Sequence, residues 1–169
     1  MDLPAKIHLL TRYTAWANAR LFAAIARLPE GAALAKRPTL FGNMLRTLNH
    51  SHVVDQIWMA HLEGRPHHFT ALNTEGTPSF AELRSSQAAM DEWFVAYAGR
   101  LNAVASDEVV EFRFVDGGAG AMTRGDILLH VVNHKTYHRG WVADMFFQDK
   151  ARPPAMDLPV YLREAKEAA

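Results

Sequence analysis

The chain has 169 residues, which is enough for one domain with a substantial core. Its 18 lysine and arginine residues balance its 18 aspartate and glutamate residues, and this argues against a nucleic acid or an anionic membrane as the partner. Cysteine is absent, which excludes disulfides, thiolate metal ligands and a cysteine nucleophile. The sequence has no signal-peptide pattern and no run of about 18 apolar residues, so we expect a soluble, cytoplasmic protein.

The first two predicted helices span residues 3–28 and 43–63. In the first helix, apolar side chains recur at steps of three and four, and Pro29 and Gly31 follow its end. In the second helix, apolar residues occur on more than one side, which indicates burial by several neighbours. The polar residues 65–77 predict a loop.

The second half of the chain predicts two more long helices. Thr77 and Pro78 are typical of a helix start, and steps of three and four then continue to residue 104. Alternating valine and phenylalanine followed by glycines predicts a short hairpin or extended segment near 108–122. Thr123 and Asp126 resemble a capping box that opens a fourth helix, which runs to about residue 148.

A short closing helix is predicted after Pro153 and Pro154. Four long amphipathic helices joined by connections of mixed length predict an all-α fold. We expect a single domain over residues 1–169, an up-and-down-like four-helix bundle with an additional C-terminal helix.

Three histidines lie four residues apart in HVVNHKTYHRGW at 130–141, on the fourth predicted helix. Because residues at i and i+4 are about 6 Å apart on one helix face, two of the imidazoles can converge on one ion. The outer pair, His130 and His138, is separated by about 12 Å of helix rise and cannot readily share an ion. Neutral imidazole is a leading ligand for zinc, nickel and iron. Two of the three are therefore candidate ligands, and the alternative is a set of hydrogen-bonded core histidines without metal.

The second predicted helix offers further candidates, namely His50, His52 and His61. His50 and His61 are three helical turns apart on one face, so spacing alone does not choose between them. The remaining three are interpreted as surface or incidental residues, and these are His8, His67 and His68.

Other catalytic patterns lack specific residues. His134 is followed by Lys135 instead of the glutamate of a metalloprotease H-E-x-x-H motif. No glutamate has a histidine three positions later, as ferritin-like di-iron bundles require. The glycine-rich DGGAGAM precedes no lysine, and no G-x-S-x-G elbow supports a Ser-His-Asp triad, although a triad stays open.

Two segments together, TLNHSHVVDQIW at 47–58 and HVVNHKTYHRG at 130–140, resemble the DinB family of metalloenzymes. The order of elements is similar over nearly the whole chain. The resemblance implies a four-helix bundle whose divalent ion, zinc or nickel, is bound by His50, His134 and His138, with His130 as a neighbour. Three protein ligands with an open position are typical of a catalytic metal site. The sequence departs from the family pattern at Trp141, where glutamine is common, so the substrate class does not carry over.

The resemblance implies two alternative classes of function. In the first, the protein is a metal-dependent enzyme, since characterised relatives include transferases and isomerases that use mycothiol, bacillithiol or glutathione. A low-molecular-weight thiol would then be the cosubstrate, and metal-dependent hydrolysis is the alternative chemistry. In the second, it is a non-catalytic metal-binding protein of a stress response.

Three residues near the motifs are candidates to orient a ligand or a small-molecule substrate, namely Asp55, Tyr137 and Arg139. Each has the alternative interpretation of a capped or paired surface residue. A homodimer is also predicted, because such relatives commonly pair and the second helix has apolar residues on several sides.

Overall fold

The computed structural model describes residues 2–167, which form six helices and one two-stranded antiparallel sheet. The helices are α1 (Leu3–Ile25), α2 (Met44–Leu62), α3 (Phe80–Gly99), α4 (Ala103–Asp107), α5 (Arg124–Gln148) and α6 (Leu158–Glu167). The strands are β1 (Val109–Arg113) and β2 (Ala119–Thr123). They pair so that Val109 faces Thr123 and Arg113 faces Ala119. The fold is mostly helical with a small sheet, whereas the sequence predicted an all-α fold; the closing helix is confirmed, and the segment predicted near 108–122 is a hairpin.

Polar side chains at the helix starts explain where several helices begin. The side chain of Asn43 accepts a hydrogen bond from the backbone of Arg46 at 2.8 Å and caps α2. Thr123 accepts from the backbone N–H of Asp126 at 3.0 Å, so the predicted start of α5 is confirmed. Each bond satisfies a donor that the first helical turn would leave unpaired.

The predicted start of α3 at Thr77 and Pro78 is wrong, because Ser79 caps this helix. The Ser79 hydroxyl accepts from the backbone N–H of Glu82 at 3.3 Å, and the Glu82 carboxylate accepts from the backbone N–H of Ser79 at 2.9 Å. This reciprocal capping box satisfies two donors, whereas a threonine cap satisfies one.

Two helices also end three or more residues earlier than predicted. The first ends at Ile25, three residues before the predicted end, and the third ends at Gly99. The residues after Gly99 form the separate short helix α4, because the Asn102 side chain accepts from the backbone of Ala105 at 2.9 Å and starts a new helix.

Two apolar clusters lie at opposite ends of the four long helices and reveal the helix directions. One cluster receives the beginnings of α1 and α5 and the ends of α2 and α3, with Ile7, Leu62, Phe94 and Ile127 among its members. The other receives the opposite ends, with Phe22, Leu45, Leu83 and Phe146. α2 and α3 therefore run parallel, so the predicted up-and-down order is not followed there. The reason is the long loop after α2, which carries the chain back before α3 begins.

A belt of buried polar side chains separates the two apolar clusters. It includes Thr11, Thr14 and Asn18 on α1, His52 and Asp55 on α2, Gln87 and Asp91 on α3, and Lys135 and Arg139 on α5. α6 packs on the outside of α1, where the Tyr13 hydroxyl donates to the carbonyl of Met156 at 2.7 Å. Within residues 2–167, no helix is long and apolar enough to cross a membrane.

Candidate metal centre

Three histidine side chains converge between α2 and α5. His50 comes from α2, while His134 and His138 come from successive turns of α5. One ring nitrogen of each lies within 4.8 Å of the other two. His50 and His138 are buried and His134 is half-buried. The three side chains form a set that could hold one metal ion.

The ring of His50 is held by two contacts from outside the helices. Its Nδ1 lies 2.6 Å from the carbonyl oxygen of Leu72, so Nδ1 carries the hydrogen and Nε2 keeps its lone pair. The loop that contains Leu72 is attached to α2 through Asn49, whose amide donates to the Thr74 hydroxyl at 2.7 Å. The Phe41 ring stacks on the other side, with centroids 4.4 Å apart. The carbonyl of Leu72 therefore fixes the His50 tautomer whose Nε2 is free to bind a metal ion.

The distance between His134 and His138 fits a shared ion. Their Nε2 atoms are 3.0 Å apart. Two nitrogen ligands at 2.0–2.1 Å from a tetrahedral zinc ion are separated by about 3.3 Å, so a small adjustment would satisfy the geometry. The Nδ1 atoms of both rings are buried without a hydrogen-bond partner among residues 2–167, so packing against neighbouring rings orients them.

Burial keeps the three imidazoles neutral. Burial is the largest cause and repulsion from a neighbouring histidine proton or from Lys135 the smaller one, and together they lower the pKa of His134 to about 2 and that of His138 to about 4. Burial also lowers the pKa of His50, although the bond to Leu72 opposes it. Because only neutral imidazole has a free lone pair, these environments favour metal ligation over protonation at neutral pH.

Aromatic rings close one side of the histidine group. Trp141 lies with its ring centroid 5.1 Å from that of His138 and 5.8 Å from that of Phe41. Tyr137, which is exposed, packs against both His138 and Trp141. The tryptophan at which the sequence departs from the family pattern is therefore part of the wall around the histidines.

The other histidines occupy different surroundings. The ring of His130 stacks on that of His134 with centroids 5.7 Å apart, and its edge meets Trp58. The Nδ1 of His52 is 3.1 Å from the Gln87 side-chain oxygen, in the polar belt. His61 packs against Trp58 near the hairpin.

Comparison with known proteins identifies the family of the chain. The sequence model of the DinB family matches residues 1–168. The chain belongs to the DinB family. It is similar to protein DinB of Bacillus subtilis (strain 168), with 23% identity over 158 residues that cover 90% of this chain and 91% of the relative. The fold is similar to the crystal structure of a DinB-like protein from Bacillus cereus ATCC 10987, with a TM-score of 0.65, 14% identity and coverage of 85% of this chain and 91% of the other.

In this DinB-family protein, Asp55 belongs to the buried belt. Its Oδ2 forms an ion pair with Nζ of Lys135 at 2.6 Å and accepts from the Gln87 amide at 3.1 Å. Gln87 also accepts from Lys135 at 2.8 Å and donates to Asp91 at 2.8 Å. The belt therefore links α2, α3 and α5 directly beside the helical turn that carries His134.

Arg139 belongs to the same belt and faces α1. Its guanidinium donates to Asn18 at 3.1 Å and lies over the Tyr13 ring, 5.4 Å from the centroid. It also donates to the Thr136 hydroxyl at 2.9 Å, one turn back along α5. Of the three orienting candidates, Tyr137 is the one whose ring contacts a histidine of the group.

A cavity of about 250 Å³ adjoins His50 and His134, and Trp141 is not among the residues of its wall. Most of its wall is apolar and consists of Val54, Ile57, Trp58, Leu72, Phe112 and Phe114. The hairpin supplies the two phenylalanines, and Arg113, Val115, His61 and His130 complete the wall. The DinB-family site thus has aromatic packing beside His138 and an apolar space beside His50 and His134.

Sequence reasoning missed several residues of this site. Phe41 and Leu72 lie in loops, and nothing in their local pattern indicates that they contact a histidine across the fold. Lys135 could have been recognised from the sequence, because a lysine one position after a candidate ligand on a buried helix requires a charged or polar partner. The buried Gln87 is its counterpart on α3.

Proposed function

We propose that His50, His134 and His138 bind one divalent cation, zinc or nickel, and leave part of its coordination shell open for a substrate. The observation that carries this proposal is the convergence of three neutral imidazole nitrogens within 4.8 Å. All-imidazole ligand sets suit zinc, nickel and similar ions, and sites with three protein ligands are typical of catalysis.

The reaction that we propose is a transfer that uses a low-molecular-weight thiol as cosubstrate. A divalent ion in such a site supplies a Lewis acid, which lowers the pKa of a coordinating thiol and favours its thiolate form. Because the chain has no cysteine, the thiol must come from a second substrate. The protein's own residues fix the ligand rings, exclude water with the aromatic wall and offer an apolar space beside the site.

Each of the three orienting candidates has a definite proposed role. Tyr137 is exposed and lies at the edge of His138, where its hydroxyl can reach a bound substrate from the solvent side. Asp55 and Arg139 are buried in the polar belt, so we propose that they position the helical turn that carries the α5 ligands.

The first test of metal binding is the metal content of the purified protein and of single variants. His50→Ala, His134→Ala and His138→Ala are each expected to lower affinity by orders of magnitude, because two imidazoles cannot replace a three-point chelate. His130→Ala is the matched control, since it removes an imidazole from the same face of α5 and is expected to keep the ion. Unchanged metal content in His134→Ala, or a loss confined to His130→Ala, would contradict the assignment.

The second test separates the classes of function. In the cobalt-substituted protein, an open coordination position predicts a change in the visible spectrum when thiol or azide is added. No change with either would favour a non-catalytic metal-binding role in a stress response. Assays of the zinc and nickel forms with several thiols and electrophiles test transfer, and product formation without any thiol would favour hydrolysis.

Two structural proposals accompany this function. We propose that the four long helices constitute a four-helix bundle, in which α2 and α3 run parallel. Homodimerisation stays a prediction. The apolar residues on several sides of α2 support it less, because they are buried within the chain. Sedimentation at tens of micromolar protein tests it, and a monomer would remove it. We also propose a cytoplasmic location.

A further inference from the structure

We infer that the cavity beside His50 and His134 receives a nonpolar group of the substrate, of the size of a single aromatic ring or a short branched chain. This inference rests on the proposed metal-dependent function, because it takes the substrate's reacting end to lie at the three histidines. It adds what that function leaves open, namely the chemical class of the substrate.

The cavity wall selects for apolar chemistry. Val54, Ile57 and Trp58 of α2 form one part of the wall. Phe112 and Phe114 of the hairpin form another part. Trp58 is buried, and its ring meets the ring of Phe112 edge-on with centroids 4.9 Å apart. A charged or strongly polar group placed here would lose its hydration without gaining enough hydrogen bonds.

Apart from His50 and His134, the polar residues of the wall are His61, Arg113 and His130. Arg113 is the charged residue among them, and its guanidinium donates to the carbonyl of Gly117 at 3.2 Å, within its own hairpin. His61 and His130 flank Trp58 and offer at most a few hydrogen bonds to one polar atom. Convergence of a few polar groups in an otherwise apolar pocket is typical of a specific small-molecule site.

The size of the cavity limits the ligand. An apolar cavity of roughly 150 Å³ is sufficient to bind benzene, whereas pockets for drug-sized ligands begin at about 300 Å³. At about 250 Å³ the cavity fits one ring with a short linker toward the histidines. Leu72 and Phe114 are about half exposed, at 49% and 51%, and mark the entrance.

The same residues connect the cavity to the ligand geometry. Leu72 contributes its side chain to the wall and its carbonyl oxygen to His50. A substrate group that packs against Leu72 therefore contacts the loop that holds His50 in the ligating tautomer. Occupation of the cavity and orientation of the metal ligand are linked through one residue.

The first experiment uses toluene, a probe with no metal-binding group, and methyl-labelled protein in its metal-free and metal-loaded forms. Toluene is expected to shift the NMR signals of Val54 and Ile57 methyl groups in both forms. Leu72→Trp fills the entrance and is expected to abolish these shifts. Leu34→Trp is the matched control, because Leu34 is exposed at 57% and lies outside the cavity wall, so the shifts should persist.

A second variant reaches the cavity from behind the hairpin. A Cβ atom on Gly120 would lie 2.6 Å from Cε2 of Phe112 and 3.1 Å from Cε2 of Phe114, so Gly120→Ala forces the Phe112 ring of the wall to move. Toluene binding is expected to weaken in this variant as well. If Leu72→Trp and Gly120→Ala both bind toluene like the parent protein, the cavity is not the binding site.

The second experiment compares two thiols on the cobalt-substituted protein, benzyl mercaptan and 2-mercaptoethanol. The aromatic thiol is expected to bind at least about tenfold more tightly, the ratio that removal of one ring from water provides. In Gly120→Ala, which displaces the Phe112 ring and leaves Leu72 and its contact with His50 unchanged, this preference should fall to about threefold or less, while 2-mercaptoethanol affinity stays the same. Equal affinities in the parent protein, together with no toluene shifts, would overturn the inference.

The two experiments separate the inference from the function on which it rests. If toluene shifts the cavity methyl groups but neither thiol changes the cobalt spectrum, the open metal position fails and the apolar ligand site stands. If both thiols change the spectrum equally and toluene shifts nothing, the metal-dependent function stands and the inference fails.

Discussion

Replacement of Lys135 by methionine is expected to reveal the energetic importance of the buried polar belt. The Lys135 ammonium is 2.6 Å from Asp55 Oδ2, and the two side chains are 4% and 1% exposed. Without the lysine, Asp55 keeps one hydrogen bond, from Gln87 at 3.1 Å, and its Oδ1 has no partner among residues 2–167. Loss of one member of a buried ion pair typically costs 3–5 kcal/mol, so we expect Lys135→Met to lower the free energy of unfolding by about that amount.

The double variant Asp55→Leu with Lys135→Met is expected to recover most of this loss. Gln87 bridges the pair, and it has a second partner at each end. Its oxygen still accepts from His52 at 3.1 Å, and its amide still donates to Asp91 at 2.8 Å. Because no buried charge is left unpaired by the double change, we expect it to lie within about 2 kcal/mol of the parent protein, with a coupling energy of about 3 kcal/mol.

The assay is urea denaturation of the metal-free proteins in the presence of a chelator, because bound metal would add its own stabilisation. Burial raises the pKa of Asp91 to about 6 against the opposing effect of Lys135, so measurements near pH 8 keep this neighbour ionised in the parent protein. If the single variants each cost less than about 1 kcal/mol and their effects simply add in the double variant, the buried pair does not carry the energy that its geometry indicates.

Lowering the pH from about 7 to about 4.5 is expected to destabilise the metal-free protein. In the folded protein, burial lowers the pKa of His134 to about 2 and that of His138 to about 4. The unfolded chain takes up these protons near pH 6.5. Each imidazole lowers the free energy of unfolding by about 1.4 kcal/mol per pH unit below 6.5, until its folded pKa is reached. Urea titrations should show that the free energy of unfolding falls more steeply with decreasing pH in the parent protein than in His134→Phe. Gly125→Ala is expected to destabilise α5 by about 1–3 kcal/mol, because its Cβ would lie 2.6 Å from the Ser106 hydroxyl oxygen. Gly140→Ala is the matched change on the same helix, and its added Cβ meets no atom within 4 Å. Thermal unfolding should show that Gly140→Ala is stabilised by up to about 1 kcal/mol. If Gly125→Ala were the more stable of the two variants, the packing around Gly125 would not have the effect proposed.

The positions of the helices could be predicted from the sequence because each one buries a face with a regular period. α5 shows the clearest agreement, since both the Thr123 cap and the final residue, Gln148, were predicted. The same regularity places His134 and His138 on adjacent turns of one face. The choice of His50 on α2 depended on the family resemblance, because spacing left His61 equally possible.

The helix directions could not be predicted from periodicity. A helix that points up and one that points down have the same amphipathic pattern, and only the loop between them determines the direction. The loop after α2 is long enough to return to the other end, and its polar composition gave no sign that it does. The buried belt was missed for a related reason, since Gln87 and Asp91 fit the helical period but their partners lie on other helices.

The irregular segments determine what surrounds the three histidines, and this has a consequence for substrate choice within the family. Leu72 and Phe112 reach the site from a loop and from the hairpin, whereas Trp141 is half-buried on α5 itself. Neither Leu72 nor Phe112 belongs to the helices that carry the three histidines. Loops tolerate sequence change better than packed helices, so the apolar space can change shape while the three histidines keep their register. Relatives that share His50, His134 and His138 are therefore expected to differ in substrate through these surrounding positions.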